Sequence, residues 1–281
     1  VEKTILQQIT ERPMTTQQVT PDIFLLQFPL VNAFMVGDPN NQNKEWVLIG
    51  AGMAHTSKDI FQAAEGRFGQ GSQPKAIILT HGHFDHVGAI TELTNTWNVP
   101  VYAHAYELPY LTGQMDYPPA DPSVDKGLIA RISPTFPHKG INLGTRAAPL
   151  PADGSVPWMP GWQWIHTPGH SPGHVSLFRD SDRVLIVGDA FTTLKQESAT
   201  SVLTREKEVH GPPAYFTTDW QAAEQSVQVL NELNPSLVIP SHGLPMGGEE
   251  LKQQLSELAH NFVHLAVPEQ GQYVGQPAPN S

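Results

Sequence analysis

The chain contains no cysteine in 281 residues, which excludes disulfides, thiolate metal ligands and a cysteine nucleophile. It is also short of positive charge, with 16 Lys and Arg against 27 Asp and Glu and a formal net charge of −11. A field of that sign repels polyanions, and no basic stripe offsets it, so nucleic acid is not an expected partner. No apolar run is long enough to cross a bilayer, and no membrane partner is expected. Val1 to Leu6 lacks the charged-then-apolar pattern of a signal peptide; a cytoplasmic location is the expectation, with an earlier leader left open. The sequence carries neither a Gly-rich phosphate-cradling loop nor a Ser-His-Asp nucleophile signature.

What the chain does have is histidine at the ends of apolar runs. Thr80-His81-Gly82-His83-Phe84-Asp85-His86 directly follows Ala76-Ile77-Ile78-Leu79. A buried strand ending in imidazoles and a carboxylate offers the donors that zinc and similar divalent ions take when thiolate is absent. The same order recurs three times. Trp164-Ile165 leads to the stretch containing His166, His170 and His174, Leu185-Ile186-Val187-Gly188 leads to Asp189, and Leu237-Val238-Ile239-Pro240-Ser241 leads to His242. An apolar run, a turn residue and then a donor is how a sheet gathers distant side chains along one edge.

These motifs resemble those of the metallo-β-lactamase-fold hydrolase superfamily, from about Asn32 to about Gly243, with its HxHxDH motif standing here as His81, His83, Asp85 and His86. The resemblance implies an α+β fold, an αββα sandwich with a metal site at one edge of its two sheets. It implies that His81, His83 and His170 hold a first ion, that Asp85, His86 and His242 hold a second, and that Asp189 bridges them. Two divalent ions are expected, zinc first, with manganese, iron or cobalt compatible with the same donors. At about 3.5–4 Å apart such ions share and acidify a water that attacks an ester-like bond. Asp85 is the expected catalytic residue, combining coordination with proton handling. His174 repeats the Pro-Gly-His unit on the following strand and is expected behind the ligands rather than among them.

Gly50 departs from the pattern. It ends the run Val47-Leu48-Ile49 where relatives carry an aspartate beneath the metal loop, and its lack of a carboxylate is expected to loosen that loop. Glycine here is either this branch's own design or an introduced change, and a metal-bound but inactive protein follows if it cripples the site.

One domain is expected over residues 1–267, with a proline-rich, pocket-covering insertion at 107–161 and a frayed tail at 268–281. Strands are expected at Ile23–Leu26, Phe34–Val36, Trp46–Ile49 and Val99–Ala103, and helices at Lys58–Phe68, Ala89–Trp97, Ala222–Leu233 and Glu249–Val263. Within the insertion, Tyr110, Tyr117, Phe136 and Trp158 are the expected pocket residues. Their apolar character favours a small-molecule lactone or carboxylic ester, with a thioester of the glyoxalase II type second. Phosphoesters rank lower because few cations surround the motifs. A different class of activity, an iron-dependent oxygenase or di-iron redox enzyme, is the rival reading, although His83 stands where the flavin-coupled branch uses glutamate. Oligomeric state is not legible in the sequence.

Overall fold

The computed structural model describes residues 12–204 and 207–275. Seven strands form one sheet in chain order: β1 (Thr15–Thr20), β2 (Ile23–Gln27), β3 (Asn32–Val36), β4 (Val47–Ile49), β5 (Ile77–Ile78), β6 (Val101–Ala103) and β7 (Ala147–Pro149). Neighbours are antiparallel from β1 to β4 and parallel from β4 to β7. A second sheet runs in the order β12 (Met246–Gly247), β11 (Leu237–Pro240), β10 (Val184–Gly188), β9 (Val175–Arg179) and β8 (Trp162–His166). Within it β10 and β11 are parallel, which sends both of their C-terminal ends to the same edge.

Side-chain alternation assembles the layers. Ile23, Leu25, Phe34 and Val36 face Val175, Leu177, Val184 and Ile186 between the sheets. Leu26, Met35, Leu48 and Ile77 turn outward against the helices Ser57–Phe68 and Ile90–Trp97. Across the molecule, Leu185, Val187 and Val238 turn outward against the helices Trp220–Glu232 and Gly248–His260. The result is the αββα sandwich. Strands covered on both faces read as continuous apolar runs rather than alternating ones, which explains Ala76–Leu79 and Leu185–Val187.

Several elements differ from the sequence reading. β1 was not expected, because it is a largely exposed polar edge strand. Nor was β7, which is short and contains Pro149, tolerated at a sheet edge. The last long helix breaks at Asn261 into Gly248–His260 and Phe262–Leu265. The 107–161 segment is less irregular than expected, since it holds the short helices Leu108–Leu111 and Leu128–Ile132 before reaching β7. Part of the expected tail is tied down. The Gln270 amide donates to the Ser123 carbonyl at 3.0 Å, the Gln272 N–H donates to the Asp121 carboxylate, and Val274 packs onto the outer helical layer. Residues 276–281 lie outside the described residues.

Candidate metal centre

Beyond β5 the chain passes through a loop carrying His81 and His83 into a one-turn helix, Phe84–Val87, that carries Asp85 and His86. Backbone bonds hold the loop from below: the Gly50 N–H donates to Ile78 O at 2.9 Å and the Ala51 N–H to His86 O at 2.7 Å. Gly50 has a φ of 72°, in the left-handed region that glycine enters without steric cost. A Cβ there would clear its nearest neighbour by 3.7 Å, so the backbone angle rather than crowding favours glycine. His170 sits on the loop after β8, Asp189 follows β10, and His242 follows β11.

All seven of these donors are buried. They fall into three overlapping groups: His81, His83 and His170; His81, His86 and Asp189; and Asp85, His86 and His242. Within each, one donor atom per residue lies within 4.8 Å of the others. Asp189 is central. One of its oxygens lies 3.0 Å from His242 Nε2, 3.4 Å from His170 Nε2 and 3.9 Å from His81 Nε2, and the other lies 3.4 Å from His86 Nε2. Asp85 Oδ2 is 3.5 Å from His242 Nε2, and its side chain is 12% exposed against 3% for Asp189.

The hydrogen bonds behind the rings determine which nitrogens face inward. The Thr217 hydroxyl donates to Pro213 O, so it accepts from His170 Nδ1, leaving the His170 Nε2 lone pair toward the cluster. His242 Nδ1 donates to Leu30 O at 2.7 Å and likewise leaves Nε2 inward, against two carboxylates. His83 Nδ1 and His170 Nε2 face each other at 2.9 Å. His81 Nε2, His86 Nε2 and Asp189 Oδ1 are buried without a hydrogen-bond partner. Each orphaned group of this kind costs about 1–3 kcal/mol unless something satisfies it. Convergent lone pairs around a central carboxylate fit a divalent cation and no neutral packing partner.

The electrostatics agree with that fit. Burial and the neighbouring histidines push His81 and His83 well below the ordinary imidazole range, and burial holds His170 at about 4. Burial also opposes a charge on His242, but Asp189 and Asp85 overcome it and raise the ring to about 9. The rings of His81, His83 and His170 are therefore kept neutral, with ring lone pairs available to a cation, while His242 takes a proton when no cation is there to replace it.

His174 stands behind the cluster. Its Nε2 accepts the Asp189 backbone N–H at 2.8 Å, which requires the proton on Nδ1, facing Thr167 O at 3.1 Å. It fixes the backbone from which Asp189 projects. Asn32 secures the opposite side, its amide donating to Pro240 O at 2.9 Å and Gly243 O at 2.8 Å around His242. The buried Glu107 accepts bonds from the loops of His81–His83 and His170. Sequence reading singled out neither Asn32 nor Glu107 as a site residue. The available signal was weak: a carboxylate four residues beyond β6, and an asparagine opening β3.

The expected pocket residues separate. The Tyr117 ring meets the His83 ring at 4.6 Å, with Tyr110 stacked behind it at 4.0 Å and thus one layer removed. Phe136 lies 5.3 Å from Phe84 and 5.8 Å from Tyr215, while Phe216 stacks on His83 at 4.6 Å. Trp158 is misplaced by the sequence reading. It is 55% exposed over Lys75, which precedes β5 and so lies at the end of that strand opposite the histidines. A cavity of about 960 Å³ also lies elsewhere, between the Ser123–Lys126 and Glu208–Pro212 segments and the Gly248–His260 helix, and none of the seven donors lines it.

Comparison with known proteins matches this arrangement. The model of the metallo-beta-lactamase superfamily matches residues 27–242. YflN of Bacillus subtilis (strain 168), a probable metallo-hydrolase, is 48% identical over 237 residues, covering 84% of this chain and 89% of its own. The N-acyl homoserine lactonase of Bacillus thuringiensis is 30% identical over 174 residues, covering 56% of this chain and 60% of the lactonase. Among solved structures, TTHA1623 in a di-iron-bound form superposes with a TM-score of 0.53 at 27% identity, covering 84% of this chain and 98% of that one. The two sheets with their outer helices, the buried histidine and aspartate cluster at one edge and these matches together establish that the chain belongs to the metallo-beta-lactamase superfamily, among its metal-dependent hydrolases.

Proposed function

We propose that this chain holds two divalent ions, zinc by preference, and hydrolyses an ester-like bond in a small molecule with an apolar acyl part, a lactone or carboxylic ester before a thioester. The observation that carries the reading is the pairing of the seven-donor cluster with the aromatic wall of Phe84, Phe136 and Phe216 beside His83. His81, His83 and His170 would hold one ion and Asp85, His86 and His242 the other, with Asp189 shared. Bound divalent ions supply Lewis acidity toward a carbonyl oxygen and lower the pKa of water toward neutrality.

The rest is the work of the side chains. Asp85 would take the proton from the attacking water and return it to the leaving group, a role supported by its being the more exposed of the two carboxylates. Asp189 keeps the histidine nitrogens convergent, held in turn by His174. The aromatic wall excludes water beside the reacting centre and gives an acyl chain a surface to bury. The partial likeness to an N-acyl homoserine lactonase supports the lactone reading. A second reading, iron at the same donors, is favoured by the likeness to a protein solved in a di-iron-bound form.

The test is a panel of lactones, carboxylic esters, thioesters, β-lactams and phosphoesters with the zinc-loaded protein. Phe136→Ala is expected to lower kcat/KM on long-acyl substrates by about 10-fold or more while leaving short ones and metal content nearly unchanged, the scale of losing buried apolar contact. Trp158→Ala is expected to change neither. Equal activity of the Phe136 variant across all chain lengths would mean that this ring only packs the loop.

A further inference from the structure

One buried carboxylate at the centre touches none of the inward-facing ring nitrogens. Glu107 ends a short 3-10 turn after β6 and is wholly buried. Its Oε2 accepts from the Gly82 N–H at 3.0 Å and from the Tyr117 hydroxyl. Its Oε1 accepts from the Ser171 hydroxyl at 2.7 Å and from the Gly173 N–H at 2.9 Å. Gly82 separates His81 from His83, and Ser171 directly follows His170. The two oxygens therefore tie together the two loops that carry His81, His83 and His170, and are bonded to neither the segment of Asp189 nor that of His242.

Four donors meet two oxygens, so an acceptor-only group satisfies all of them. A glutamine would turn its NH₂ toward the N–H of Gly82 or of Gly173. The hydroxyls of Tyr117 and Ser171 can rotate to accommodate it, but a backbone N–H cannot reverse its polarity. Steric constraints point the same way. A Cβ on Gly82 would lie 2.6 Å from the Tyr117 hydroxyl oxygen, and one on Gly173 would lie 2.7 Å from Glu107 Cγ. The glycines of the His-Gly-His unit and of the second Pro-Gly-His unit thus share one cause. Tyr117 extends the brace, since its ring packs on His83 while its hydroxyl binds Glu107.

We propose that Glu107 is a positioning residue for the first metal group, fixing the spacing between the His81–His83 loop and the His170 loop and so setting the affinity of the site those three histidines form. The inference rests on reading the cluster as a metal centre. With glycine at position 50, Glu107 supplies a buried carboxylate to this loop from another direction.

The experiment is zinc titration of the stripped protein against a chromophoric chelator, in two backgrounds. His242→Ala leaves the first group whole, and His170→Ala leaves the second. Glu107→Gln is expected to weaken zinc about 10–100-fold in the first background and by less than about threefold in the second, the size of effect that outer partners of metal ligands have. Tyr117→Phe, a milder change that keeps the carboxylate, is expected to shift the first background in the same direction by a smaller factor. Equal weakening in both backgrounds, together with a lower unfolding midpoint of the metal-free protein, would overturn the proposal by making Glu107 a general structural carboxylate. Unchanged affinity in both would overturn it too. A parent chain that binds no zinc would contradict the metal-centre reading itself, and the proposal with it. A parent chain saturating at one equivalent would count against only the two-ion reading, with the Glu107 effect then read on that single site.

Discussion

Asp189→Ala is expected to hold at most one tightly bound divalent ion and to lose turnover by about 10³-fold or more, because several kcal/mol of charge stabilisation depend on the centre being complete. Among the described residues, Asp189 is the one side chain with carboxylate oxygens near His81, His86, His170 and His242 together. Without it, Asp85 is left as the carboxylate beside His86 and His242, no anion remains between the two groups of histidines, and two cations placed there would repel each other. Asp189→Asn keeps an oxygen but not the charge, and an intermediate loss is expected. Elemental analysis and steady-state rates on the three proteins check this. Two ions and near-normal turnover in the alanine variant would contradict the shared position given to Asp189.

The metal-free protein is expected to be most stable near pH 6.5 and to weaken on both sides. His170 and His174 take a proton near the ordinary 6.5 when unfolded, but burial delays this in the fold to about 4 and about 3. Their contribution is whole above pH 6.5 and is lost as pH falls toward those values. His242 runs the other way. Burial disfavours its charge, yet Asp189 and Asp85 hold the proton until about 9, so its contribution is whole below pH 6.5 and is lost as pH rises through 9. Each pH step across these windows costs up to about 1.4 kcal/mol per histidine. Denaturant midpoints of chelator-stripped protein, read at pH 5, 6.5 and 9, give the comparison, with the acid step placed above most of the range where ordinary carboxylates titrate. A flat profile between pH 5 and 6.5 would contradict the buried, neutral state of these rings.

The donors were legible because each obeys one local rule. His81, Asp189 and His242 all follow an apolar run that could be recognised as a strand covered on both faces. The sheets that bring them together could be anticipated from the same runs. Glu107 and Asn32 were not legible, since their roles are bonds across the fold to segments 25 to 211 residues away. No periodicity reports such a contact. Trp158 shows the opposite failure. An aromatic in a proline-rich loop resembles a pocket residue in sequence, but the chain turns at its left-handed φ of 63° and leaves it over Lys75. Gly50 looked like a missing carboxylate; in the fold it occupies a backbone conformation suited to glycine, and the loop above it is braced by Glu107 from another direction.

The most direct measurement of the central claim is the number and identity of tightly held metal ions per chain, by elemental analysis of protein purified without added metal and then after saturation with zinc. Two divalent ions at saturation, falling to one in the His242→Ala variant, is the predicted result. Retention of a single iron that zinc neither joins nor replaces, or no metal at all, would contradict it.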